Sequence, residues 1–392
     1  MVKNVLFQAH WLIGITAGVI VAIVGLTGAA LSFEEELLHA LNREIVTVAP
    51  REQALSVAEL LAKVEASNPG KQVANINIFS DPTLAAKVTL VAAVTPGAES
   101  PPGQRRRGET RYLNPYTAEL IGGKQLVGQE ALQVIERTHR GMVAGATGRA
   151  LVTISTIALI VLSLSGLYLR WPRSGALKLT TWFKIHTQLK GRAFLWNLHS
   201  VVGTWMMPIY VIVSLSGLYF GYDWYRQGML TVLNASPVSR EAPKLETPFE
   251  GKPDVARLWA TFEQAGGGYE SATLNFPANP KQAAEFRYLR PGAPHERATD
   301  RLALHPVTGA IIKQEVFADR TTGNYLAGSM MPLHSGSYFG VIGKLVVMLA
   351  SLAMPVFAIT GWMLYLKRRR SRQLATSSSA SPMPASAVPE SG

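Results

Sequence analysis

Histidine is the residue through which this chain could do metal chemistry. The 392 residues include eight histidines and no cysteine. Without cysteine there is no thiolate site, iron–sulfur cluster or c-type haem attachment. Four histidines fall at matched positions. His10 and His199 open two apolar stretches and are followed at equal intervals by Gly14 and Gly203, then by Gly28 and Gly217. His139 and His334 precede two more, with Gly141, Gly145 and Gly148 answering Gly336, Gly340 and Gly343. Two opposed imidazoles are what axial ligation of a planar iron macrocycle requires. Such an iron has no open position, which favours one-electron transfer over oxygen binding. A glycine four residues after a histidine lies on nearly the same helix face, so Gly14 and Gly203 would admit a ring beside it. Gly28 and Gly217 stand five whole turns on, about 27 Å along the axis, where they would clear space for a second ring. Zinc competes for a histidine pair but takes three or four ligands, and few carboxylates accompany His10 and His199. His39, His186 and the methionines Met206, Met207, Met330 and Met331 are the alternative ligands; His295 and His305 read as structural.

These residues need elements to hold them in place. Composition is 48% hydrophobic and only 16% charged, which points to the bilayer. Four stretches are long enough to span it, giving expected helices at 5–33, 148–170, 195–220 and 339–366. None has an acidic residue at its centre, which argues against a proton- or sodium-coupled transporter. The first is read as a retained helix, because its apolar run is longer than a signal peptide's and ends in Glu34, Glu35 and Glu36. A basic loop at 171–194 carries Arg170, Arg173, Lys178, Lys184, Lys190 and Arg192 in and beside it, and Lys367 to Arg370 follow the last helix. Positive residues stay inside, so both termini are expected in the cytoplasm of a bacterial inner membrane, with 34–147 and 221–338 in the periplasm. The net charge of +12 gathers beside the spans, not on one soluble face, so nucleic acid is not the expected partner; membrane lipid is. The segment 367–392, rich in Ser, Ala and Pro towards its end, reads as a basic, disordered tail.

The two periplasmic segments repeat as well. A helix over Ser56–Ala66 with a Ser56/Glu59 capping box answers one over Val255–Ala265. Strands at Val73–Phe79 and Ala86–Ala92 answer strands at Ala272–Phe276 and Ala284–Leu289. The turn Asn114-Pro115-Tyr116-Thr117 answers His305-Pro306-Val307-Thr308. Each segment is expected to be a small α+β domain, one helix on an antiparallel sheet. With two spans in each half, the halves read as parallel repeats about an axis along the membrane normal.

Over about residues 5–370 these features resemble the PepSY-associated transmembrane family. The starts His10-Trp11-Leu12-Ile13-Gly14 and Asn197-Leu198-His199-Ser200-Val201-Val202-Gly203 carry the resemblance. So do Thr138-His139-Arg140-Gly141 and Leu333-His334-Ser335-Gly336, and the two extracytoplasmic turns resemble those of PepSY domains. Within that family the chain is similar to bacterial inner-membrane di-haem ferric-siderophore reductases of the ferrioxamine type. The resemblance implies two haem b groups, one on His10 and His199 and one on His139 and His334. It also implies an oxidoreductase that reduces ferric siderophore in the periplasm and releases Fe(II), with Arg105, Arg106, Arg107 and Tyr325 as candidate contacts. The short basic loop is too small for a nucleotide-binding domain and has no G-x-G-x-x-G run, so the electron donor is a soluble flavoprotein, a quinol or another carrier. Two other readings stay open: a quinone-linked b-type cytochrome serving a periplasmic protein partner, and a haem-free, membrane-anchored PepSY module that regulates a periplasmic peptidase.

Overall fold

The structure, a computed structural model, describes residues 1–92, 108–123, 125–172, 178–237 and 241–379. The first half runs α1 (Val2–Leu31), α2 (Glu34–Leu41), α3 (Arg43–Val46), α4 (Val57–Ser67), β1 (Lys71–Phe79), β2 (Ala86–Ala92), β3 (Glu109–Leu113) and β4 (Leu120–Ile121). It continues through α5 (Gln129–Gly141), α6 (Gly145–Arg170) and α7 (Leu179–Phe183). The second half has α8 (Gly191–Gly221), α9 (Asp223–Val232), α10 (Val255–Gly266), β5 (Ser271–Asn275), β6 (Ala284–Leu289), β7 (Thr299–Leu304) and β8 (Ile311–Glu315). The helices α11 (Thr322–Gly328), α12 (Met330–Ser335) and α13 (Gly340–Ser379) close the order. Two compact units result. One combines Met1–Ala30, Glu136–Gly221 and Val346–Gly392, and the other Leu31–Ile135 with Tyr222–Leu345.

The helical unit contains most of the four segments that are long and apolar enough to cross a membrane, Val2–Leu31, Gly145–Arg170, Gly191–Gly221 and Ser337–Ser371. Leu12, Val19, Leu26, Ile154, Ile157, Ile212 and Leu352 are exposed on their outer faces, as lipid-facing side chains should be, since an α-helix satisfies its own backbone without water. Inside, Val21, Tyr210, Ala350 and Met354 form a buried cluster, with Phe357 and Met206 packed against it. Gly25 lets α1 approach α13 closely: a Cβ there would stand 2.6 Å from the Ser351 carbonyl oxygen and 2.7 Å from Met354 Cβ. That carbonyl lies four residues before Pro355, which has no N–H to bond it, so the backbone is open for approach at that turn. The α13 helix runs to Ser379, correcting the expected end at 366 and the disordered tail as far as that residue. Lys367, Arg368, Gln373 and Leu374 are good helix formers and carry the helix past its apolar part; residues 380–392 lie outside the described residues.

The second unit is built on one eight-stranded sheet in the order β4-β3-β2-β1-β5-β6-β7-β8, with every neighbouring pair antiparallel. The helices α4 and α10 supply Leu60, Val64, Leu258 and Phe262 to a core completed by Ile76, Val88, Leu274, Phe286 and Leu302 from the strands. Ser56 caps α4 in a complete capping box, and the Asp254 side chain caps α10. The matched turns are also built alike: Asn114 Oδ1 accepts from the Tyr116 amide, and His305 Nδ1 accepts from those of Val307 and Thr308. The expected separation into two domains is corrected at one seam. β1 pairs with β5, Asn75–Phe79 against Ser271–Asn275, so the strands of both segments share a single ladder. A strand edge left open in each segment is a row of unpaired amides and carbonyls, and joining the edges satisfies both.

Candidate functional site

In the helical unit His10 on α1 and His199 on α8 line one cavity of about 1240 Å³. Small-molecule pockets usually hold roughly 300–1,000 Å³, so the space suits a macrocycle. Each ring is held from behind by a hydroxyl on a neighbouring helix. Ser165 Oγ on α6 lies 2.8 Å from His10 Nδ1, and Thr360 Oγ1 on α13 lies 2.7 Å from His199 Nδ1.

The hydroxyls' other partners assign one tautomer. A hydroxyl has one proton to donate, and Ser165 and Thr360 give theirs to the carbonyls of Val161 and Val356 in their own helices. Each oxygen therefore accepts from its imidazole, so Nδ1 carries the hydrogen on both rings. That leaves the Nε2 lone pair available as a donor, the arrangement that an outer hydrogen bond gives a metal-binding histidine. Gly166 and Gly361 follow the two hydroxyl residues directly. A Cβ on Gly166 would come within 3.3 Å of His10 Cε1, and one on Gly361 within 4.0 Å of His199 Cε1.

Gly14 and Gly203 line the same cavity, and a Cβ there would find nothing nearer than Leu162 at 3.8 Å and Phe357 at 3.6 Å. A Cβ at either position would make ordinary contact with those side chains, and both glycines border the cavity beside the histidines. Phe357 also meets the His199 ring edge-on at 5.1 Å. The donor set fits a planar cofactor better than a small ion. Among the described residues no three His, Cys, Asp or Glu side chains gather into an ion site, whereas a haem needs only the two axial ligands.

His139 sits in the last turn of α5, and its Nδ1 is 2.9 Å from the Val24 carbonyl of α1 and 3.2 Å from Thr27 Oγ1. A carbonyl only accepts, so this Nδ1 carries a hydrogen too. Gly28 has a different task from the expected one: a Cβ there would stand 2.9 Å from His139 Cε1, so what it makes room for is the imidazole. Gly217 is half-buried in α8. His334 belongs to the sheet unit, half-buried in α12.

The other histidines are elsewhere. His39 and His186 are exposed, and His305 serves its turn. His295 is 5% exposed and bonds Ser329 Oγ at 3.0 Å. Met206 packs in the helical core, and Met330 is buried in α12. Arg105, Arg106 and Arg107 lie outside the described residues. Tyr325 faces Tyr338, the two hydroxyls 3.4 Å apart. The hydroxyl anchors Ser165 and Thr360 are the residues that a search for ligands overlooks. Their signal was present as the repeated Ser165-Gly166 and Thr360-Gly361 pairs.

A protein of Pseudomonas aeruginosa described as "Uncharacterized protein PA4219" is 25% identical over 236 residues, covering 53% of this chain and 55% of the relative. The chain thus matches about half the length of that relative. The family description "PepSY-associated TM region" matches residues 7–368, a range that takes in all four matched histidines, their glycines and both hydroxyl anchors. With nearly its whole length inside that range, the chain belongs to the PepSY-associated transmembrane family.

Proposed function

We propose that this protein is a bacterial inner-membrane ferric-siderophore reductase that carries electrons across the bilayer on two haem b groups and releases Fe(II) in the periplasm. The observation that carries the reading is the pair His10 and His199. They line one large cavity, each with Nδ1 committed to a hydroxyl and Nε2 left as a donor. Bis-histidine haem supplies one-electron chemistry, with no open iron position for oxygen. The chain's own residues do the rest. His10 and His199 would hold the inner haem; the repeat in the sequence assigns the outer one to His139, whose ring is fixed through Val24 in the same tautomer, and to its counterpart His334. Gly14 and Gly203 leave space for the ring, and Phe357, Tyr210 and Met354 keep water from its apolar side.

The substrate is a ferric chelate. A siderophore grips Fe(III) through hard oxygen donors and Fe(II) far more weakly, so one electron is enough to loosen it. In this reading the sheet unit is a pair of PepSY-like repeats joined through β1 and β5, and it presents the chelate on the periplasmic side. The basic residues at 170–192 and 367–370 hold both termini in the cytoplasm. Electrons enter there from a soluble flavoprotein, a quinol or another carrier.

The test begins with purified, full-length protein. A pyridine haemochrome titration should give two haem b per chain, and dithionite-reduced protein should be reoxidised rapidly by ferric hydroxamates and not by the iron-free chelators. A spectrum without a Soret band after expression with ample haem would overturn the reading. Two haems that ferric chelates leave reduced would move the function to another acceptor.

A further inference from the structure

One end of the cavity is strongly cationic. Lys3, Arg170, Arg192, Arg368 and Arg369 line it, and no Asp or Glu does. These residues come from the first turns of α1 and α8 and the ends of the spans formed by α6 and α13. Two are already engaged. Arg170 donates to the Ser200 carbonyl, to Thr204 Oγ1 and to the Thr181 carbonyl, and the Arg368 guanidinium lies 4.5 Å from the Phe7 ring centre. Lys3, Arg192 and Arg369 make no ion pair among the described residues.

The spacing of this rim from the histidines is the same on both helices. Lys3 is seven residues before His10 and Arg192 seven before His199, about 10 Å of helix in each case. Eleven residues beyond the histidines, about 16 Å further, stand Val21 and Tyr210 at the apolar end of the same cavity. Tyr210 leaves no polar atom open there, since its hydroxyl donates to the Ala350 carbonyl at 2.8 Å. The cavity is therefore graded, with cations at one end, two imidazoles between, and hydrocarbon with a satisfied phenol at the other.

We infer that Lys3, Arg192 and Arg369 bind the two propionate carboxylates of the haem that His10 and His199 ligate, fixing that haem with its acid edge towards the cationic end and its apolar edge towards Tyr210 and Met354. The inference rests on the haem reading above. The chemistry that fits is an oxyanion: Lys3, Arg192 and Arg369 are exposed at the rim, and with no acid among the lining residues they offer a negatively charged group three cationic partners at the mouth of an apolar cavity. Guanidinium groups suit carboxylates, which they bind through paired, charge-assisted hydrogen bonds. A lipid phosphate has the same chemistry, and the test separates the two sources.

Wild-type apoprotein is reconstituted with haem b or with haem b dimethyl ester, in neutral detergent and in nanodiscs containing anionic lipid. Haem loss is then followed by transfer to excess apomyoglobin. The ester should leave roughly tenfold faster or more, because each lost charged hydrogen bond is worth about 1.5–3 kcal/mol. The combined R192Q and R369Q variant should lose haem b faster by a similar factor, and should no longer distinguish acid from ester. Exposed Lys184 and Lys190, which do not line the cavity, serve as controls: K184Q and K190Q should match wild type. Equal retention of acid and ester by wild type overturns the inference without any variant having to fold. So does haem retention that follows anionic lipid and not the acid groups, which assigns the rim to a headgroup. Wild-type protein that takes up no haem removes the haem reading and this inference with it.

Discussion

Replacing Ser165 by alanine is the most direct test of how the inner imidazoles are held. In the structure His10 Nδ1 donates across 2.8 Å to Ser165 Oγ, and the residue is 8% exposed, so water has little access to the hydrogen once the hydroxyl is gone. A buried donor left without a partner costs about 1–3 kcal/mol, which corresponds to roughly fivefold to more than a hundredfold in an equilibrium constant. Loss of an outer partner to a metal-bound histidine commonly weakens metal binding by about 10–100-fold. The two figures overlap, and the expectation for S165A is haem loss about tenfold to a hundredfold faster than wild type. T360V should act alike, because Thr360 makes the equivalent 2.7 Å bond to His199 and valine keeps its shape. S165T keeps an acceptor and should stay close to wild type. The assay is haem transfer from full-length protein to excess apomyoglobin, with the outer haem as internal reference in each sample. If S165A and T360V both lose haem at the wild-type rate, the hydroxyls are not tautomer anchors, and the assignment of Nε2 as ligand atom fails with them.

Other expectations follow from the same geometry. H10A and H199A should each remove one haem and leave the other, while H139A and H334A should remove the opposite one; stoichiometry and reduced spectra of the four proteins decide this. G28V should displace the His139 ring, since its first carbon alone would stand 2.9 Å from Cε1. Haem content should fall towards one per chain, and a variant that keeps two would show that the close approach does not matter. For the sheet unit, burial holds the His295 imidazole below its ordinary pKa of 6.5, so the folded ring stays neutral where the unfolded chain has taken up a proton. Its contribution to stability is complete above pH 6.5 and is lost as pH falls towards the lowered folded value. The unfolding midpoint of wild type, followed by circular dichroism, should therefore drop on acidification below pH 6.5 more steeply than that of H295N.

Much of this was legible from spacing. The paired intervals from His10 to Gly14 and from His199 to Gly203 put each glycine on the face of its histidine, because helical periodicity turns sequence separation into position on a face, and all four residues line one cavity. The four spans were legible from hydropathy, and Ser56 with Glu59 marked the start of α4. What spacing left unread is what depends on a partner from elsewhere in the chain. Ser165 and Thr360 look like ordinary membrane-helix hydroxyls until α6 and α13 bring them against imidazoles 155 and 161 residues away. Gly28 could be assigned to a register but not to its neighbour, which arrives from α5. The seam between β1 and β5 was hidden for the same reason: an edge strand's sequence sets its alternation, and nothing local names the strand that will pair with it.

That seam constrains how the sheet unit can move. Five residue pairs, Asn75–Phe79 against Ser271–Asn275, bond the two segments along a continuous ladder, so they cannot open and shut on a guest as a hinged jaw without tearing main-chain hydrogen bonds. Whatever docks on the sheet meets a stiff template. For a guest docked there, selectivity would rest on side-chain pattern and arrival rate, not on closure, and variation among relatives should be concentrated in the loops and the outward side chains of the strands while the central pairing stays intact.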